Sequence, residues 1–207
     1  MDGTGGVSQR TKDRFDIASK SIAIVGGIIS AIALIITLGR NNAQRASELR
    51  WDQARLGMQF TDAMLTDPQA FDALRMVDWD RRSYTVGGQT DTISVAEVRR
   101  ALDVGNNDSL PPTDVFVRES FDRLFYHFGK IERVIDSKLV LQSDVASPID
   151  YYAPVLVNRY GDVLIPYMRQ LNHCDALDLL HRFDPRAQAC APPARNGSAA
   201  SAGSPAD

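Results

Sequence analysis

Residues Ser21 to Gly39 read SIAIVGGIISAIALIITLG, nineteen positions without a charge, bracketed by Lys20 and Arg40. As a helix rising about 1.5 Å per residue, this run spans roughly 28 Å, close to the ~30 Å hydrocarbon thickness of a bilayer. Ten of the nineteen are Ile, Leu or Val. At roughly -0.3 to -0.6 kcal/mol each on an insertion scale, they outweigh Ser30, Thr37 and the glycines. The run predicts a single N-terminal transmembrane helix over residues 21–39, with the lipid bilayer as partner. A cleaved signal peptide fits less well, because its apolar region is usually only about 7–15 residues long. A buried core helix would have to explain why every face is apolar.

Charge does not orient this helix. Arg10, Lys12, Arg14 and Lys20 precede it, and Arg40, Arg45, Arg50 and Arg55 come after it, so the positive-inside rule finds no asymmetry. Ala23, Gly27 and Ala31 lie four apart, with Gly26 and Ser30 beside them. That stripe of small residues suits close approach of a second copy, a possible homodimer, although such residues are also common in solitary membrane helices.

The remainder divides by composition. Residues 1–20 form a polar, glycine-rich leader, expected to be flexible. Residues 186–207 are rich in Ala, Pro, Ser and Gly, and are expected to be a disordered tail. Between them, residues 41–185 are the one stretch able to build a core, and the pattern there is helical: an irregular all-α bundle that includes a juxtamembrane helix. Acidic residues outnumber basic ones over the whole chain, 26 to 23, so no nucleic-acid partner is expected. Two cysteines are too few for a disulfide-rich scaffold.

Several elements can be placed. Leu49, Leu56, Phe60, Ala63 and Met64 share a face of a helix from Ala43 to Leu65. Within it Leu49, Gln53, Leu56, Phe60 and Ala63 step by four and three like a short coiled-coil seam, with packing on the domain's own helices the preferred reading. Asp67-Pro68 starts a helix as N-cap and first residue, expected to bury Phe71, Leu74, Met76 or Val77, and Trp79. The segment around Gly87-Gly88 is read as a loop, because an isolated hairpin is marginal. Ser94 and Glu97 form a capping box. Thr113 is read as the cap of a longer helix whose Val117, Phe121, Leu124, Phe125 and Phe128 make an apolar stripe. Pro148 and Pro154 divide the rest of the domain, and a final helix is expected from Asp162 to about Phe183.

Chemistry is sparse. There is no GxGxxG, GxxxxGK[ST] or HExxH pattern. His173, Cys174 and His181, with Asp175 and Asp178 nearby, are the nearest approach to a metal cluster. Positions 173 and 181, however, lie about 12 Å apart along a helix and cannot share an ion without a bend. Cys174 and Cys190 could pair only if the tail folds back in an oxidising compartment. Asp78, Asp80, Arg81 and Arg82 read as solvated charges beside a loop. An active site would need distant groups such as Asp78, His127 and Asp136 to converge. Asn107 and Asn196 match the glycosylation acceptor pattern, which matters only on a secretory route. No catalytic, cofactor-binding or metal residues are assigned.

Trp51, the stretch FDRLFYHFGKIERVID from Phe121 to Asp136, and Tyr160 through Leu171 give the chain a likeness to a family. Together with the apolar run, this layout resembles the small bacterial membrane proteins bearing domain of unknown function 4760, over residues 21–183. The resemblance implies a single-pass inner-membrane protein with its helical domain in the cytoplasm, and implies no substrate. The functional expectation is a membrane-tethered helical protein-interaction module that binds an unknown membrane or cytosolic protein. A membrane signalling or stress-response protein that switches its association state and an enzyme with an unfamiliar helical pocket are the alternatives.

Overall fold

A computed structural model describes residues 9–105 and 110–190; for residues 9–33, 35, 36 and 43 it describes the backbone alone. The chain divides into two compact units, Met1–Asp52 and Gln53–Asp207. The first helix, α1, is continuous over Gln9–Thr66. In the first unit Leu34, Leu38, Leu49 and Trp51 are exposed. Leu49 therefore does not join the domain-facing stripe expected of it.

Among the described residues no helix is long and apolar enough to cross a membrane. This corrects the expectation of a transmembrane helix at 21–39, and with it the bilayer as partner and the inner-membrane location. The physical reason lies along α1. From Arg40 onward charges recur at Arg45, Glu48, Arg50, Asp52, Arg55 and Asp62, so this part of α1, whose side chains are described except at residue 43, holds no apolar run of spanning length. The side chains of residues 21–33, 35 and 36 lie outside the described set, as do those of the suggested dimer stripe Ala23, Gly27 and Ala31. The membrane-tethered module and the membrane-linked switch lose their anchor with this correction.

The second unit begins with the end of α1. Leu56 and Phe60 pack partly buried against the core and Met64 is fully buried, while Gln53 donates from Nε2 to the Lys138 carbonyl at 3.1 Å. Asp67 then caps α2 (Pro68–Asp78), its Oδ1 accepting from the Gln69 and Ala70 amides at 3.1 and 3.2 Å. The buried face of α2 is Ala70, Ala73, Leu74, Met76 and Val77. Phe71 and Trp79 are instead exposed, each with an arginine over its ring, Arg75 and Arg82 respectively.

The segment read as a loop is a hairpin. Strands β1 (Arg81–Val86) and β2 (Gln89–Ser94) pair antiparallel from Arg81↔Ser94 to Val86↔Gln89. Gly87 and Gly88 both take positive φ, +57° and +83°, as a two-residue turn matched to the strand twist requires. Two strands alone would be marginal. Here Tyr84, Val86 and Ile93 are buried in the common core, and that burial supplies what the isolated pair lacks.

Ser94 caps α3 (Val95–Leu102) through the capping box with Glu97. Helix α4 (Pro112–Asp136) starts at Pro111-Pro112 rather than on Thr113, whose hydroxyl donates to Asp91. It runs through Gly129, where the lack of a side chain lets the last helix approach: an added Cβ would sit 3.4 Å from Asp175 Cβ. Helix α5 (Gln142–Gln170) carries Pro148, Pro154 and Pro166 inside it, with one non-helical residue at Ser147. After Asn172, at φ +60°, α6 covers Cys174–Phe183, followed by a 3-10 turn at Pro185–Ala187. The expected single helix from Asp162 to Phe183 is thus the end of α5 plus α6.

Helix α4 is central, packing on α2, α3 and α6. Phe121, Leu124, Phe125 and Phe128 are fully buried with Tyr160 and Leu164 of α5 and Leu177 and Leu180 of α6. The Tyr160 hydroxyl donates to the Met76 carbonyl at 3.0 Å, satisfying the polar tip of an otherwise apolar contact.

Candidate functional site

The second unit has an apolar groove between the last turns of α1 and the middle of α4. Leu56, Phe60 and Ala63 fall on one face of α1 by their spacing of four and three. Ala63 is too small to fill the angle between the helices. The resulting hollow has a volume of about 250 Å³ and is lined by these three with Gln59, His127 and Lys130.

His127 is held in place from behind. It is buried, and its Nε2 lies 3.2 Å from Asp67 Oδ2, which also accepts from Arg123 Nε at 2.5 Å. Asp67 thus joins two elements: Oδ1 caps α2, and Oδ2 holds two side chains of α4. Burial pushes its carboxyl up, but hydrogen bonds from Arg123, His127 and the Ala70 amide outweigh this and bring it from 3.8 down to about 2. A depressed carboxyl stabilises the fold above its unfolded value and loses that contribution as pH falls through the folded one. Between about pH 4 and pH 2 the domain is therefore expected to lose about 1 kcal/mol through Asp67, allowing for solvent screening. Denaturant midpoints across that window should show this loss in the native chain, and Asp67→Asn should flatten it.

Lys130 lies one turn beyond His127. Its ammonium sits 4.3 Å from the Tyr126 ring centroid, and its hydrogen bond and charge lower the exposed Tyr126 phenol. The neighbouring cations on α4 are committed, Arg123 to Asp67 and Arg133 to Asp175. Lys130 pairs with no carboxylate among the described residues.

A smaller polar hollow of about 170 Å³ lies on another side of α4, among Tyr126, Gly129, Arg133, Asn172, His173 and Asp175. Behind it, Asp122 Oδ1 accepts from the Tyr167 hydroxyl at 3.0 Å and lies 3.1 Å from His173 Nε2. With Arg133 paired to Asp175, the charges here serve one another.

The residues singled out from the sequence are dispersed. Asp78 accepts from the hydroxyls of Tyr151 and Tyr152, at the far end of α2 from Asp67 and His127; eleven residues of helix separate these ends by about 16 Å. Asp136 pairs with Arg182, and Asp80 with Arg159. The structure therefore does not bring Asp78, His127 and Asp136 together. Cys174 is bonded to Cys190, Asp178 accepts from the Cys190 amide, and His181 is exposed in the last turn of α6. Among the described residues no three His, Cys, Asp or Glu are grouped to hold a metal ion. Asn107 and Asn196 lie outside the described residues.

The groove was not visible in the sequence. Its two walls lie some sixty residues apart, and the one available signal was that Leu56, Phe60 and Ala63 form an apolar face. Comparison of the chain with protein families, with curated proteins and with solved structures returns no match.

Proposed function

We propose that this domain binds a small monocarboxylate with an apolar tail in the groove between α1 and α4. The observation that carries the reading is Lys130, a cation without a carboxylate partner among the described residues, at the edge of an apolar hollow. The tail lies along Leu56, Phe60 and Ala63, and the carboxylate meets the ammonium. Drug-sized ligands occupy about 300–1,000 Å³, so a hollow of about 250 Å³ suits a smaller molecule, a medium-chain aliphatic or a single-ring aromatic acid. Burial of five methylenes contributes about 4 kcal/mol. With a charge-assisted hydrogen bond of about 1.5–3 kcal/mol, the expected Kd is on the order of 10–100 µM.

Calorimetric titration with octanoate and with octanol tests this. Octanoate should bind, and Lys130→Gln should weaken it about tenfold or more while leaving the weaker octanol binding unchanged. Ala63→Phe, which fills the hollow, should abolish both. Equal affinity for acid and alcohol, or octanoate binding indifferent to Lys130→Gln, would remove the reading.

A further inference from the structure

Cys174 is the first residue of α6, and Cys190 lies three residues beyond the 3-10 turn that comes after it, with Cα atoms 5.4 Å apart. The bond returns the segment after α6 onto the start of that helix. Little else secures that return. Ala187 is fully buried, and the Cys190 amide donates to Asp178 Oδ1 at 2.9 Å. Arg169 reaches Gln188 only at 3.3 and 3.4 Å. The side chains of Asp184 and Arg186 bond to one another, and the Asp184 amide donates to the Leu180 carbonyl of α6 at 2.7 Å. Gln188 adopts φ +52°, a left-handed conformation that a non-glycine residue leaves readily when released. Both half-cystines are half-buried, within reach of a small thiol.

We infer that Cys174–Cys190 is a redox clasp. In an oxidising compartment it is closed and holds residues 184–190 against α5 and α6; thiol exchange opens it and frees that segment without unfolding the core. The reductant is a dithiol. Its thiolate attacks one sulfur, forming a mixed disulfide and releasing one cysteine thiolate; its second thiol then displaces the other cysteine and closes a cyclic disulfide. Two electrons and two protons pass to the protein, leaving two thiols. The released surface is the one that Ala187 covers.

The test is hydrogen exchange by mass spectrometry on the full chain, before and after dithiothreitol, with thiol titration alongside. The oxidised chain should show no free thiol and the reduced chain two. Reduction should speed amide exchange over residues 185–190 by at least about tenfold and leave residues 121–128 as protected as before. Cys190→Ser should reproduce the reduced pattern without any reductant. Two free thiols in chain refolded in an oxidising glutathione buffer would overturn the clasp. So would unchanged exchange at 185–190, or loss of protection at 121–128 in both the reduced chain and Cys190→Ser, which would make the bond a staple of the whole domain.

Discussion

Replacing Arg100 by alanine is expected to destabilise the domain by about 3 kcal/mol. The carboxylate of Asp114 is fully buried in the first turn of α4. Arg100 grips it with both arms of the guanidinium, Nε to Oδ2 at 3.1 Å and Nη2 to Oδ1 at 2.6 Å. Removing the arginine strands a charge away from water. Breaking a buried pair in this way typically costs about 3–5 kcal/mol, and the half-exposed Arg100 places the effect at the lower end. The helix N-terminus recovers a little by favouring negative charge. Adding Asp114→Asn to Arg100→Ala should restore part of the loss, because an amide is cheaper to bury than a lone carboxylate. Urea denaturation of the three variants checks this. Equal stability for the native chain and Arg100→Ala would show that the pair is not buried as described.

Phe121→Ala should be about as damaging, near 3–5 kcal/mol. Phe121 is fully buried; its ring meets Phe125 at 6.0 Å and the edge of Tyr160 at 6.2 Å. Tyr160 in turn holds the Met76 carbonyl at the end of α2, so one side chain supports the junction of α4, α5 and α2. Phe121→Leu keeps most of the volume and should lose no more than about 1.5 kcal/mol. A loss below about 1 kcal/mol for the alanine variant would mean that α4 is not the central helix.

Local signals were legible and long-range ones were not. Asp67-Pro68, the Ser94–Glu97 box and the stripe from Val117 to Phe128 each act within four residues, where spacing alone determines which groups meet. The hairpin was hidden because its stability comes from burying Tyr84, Val86 and Ile93 in a core built elsewhere. Pro148 and Pro154 read as divisions: Ser147, immediately before Pro148, is non-helical and marks a kink, whereas α5 continues through Pro154. The Asp67–His127 bond joins positions sixty apart, and no periodicity links them. The uncharged run at 21–39 shows the opposite limit: hydropathy of one segment favours a spanning helix, whereas from Arg40 onward α1 carries a charge every few residues.

The most direct test of the proposed ligand groove is an NMR titration of the full chain with octanoate, following backbone amides. Saturable shifts confined to Leu56, Phe60, Ala63, His127 and Lys130, with Asn172 to Ala176 unmoved, are the expected result. Shifts centred on the polar hollow at Asn172 to Ala176, or none that saturate, would contradict it.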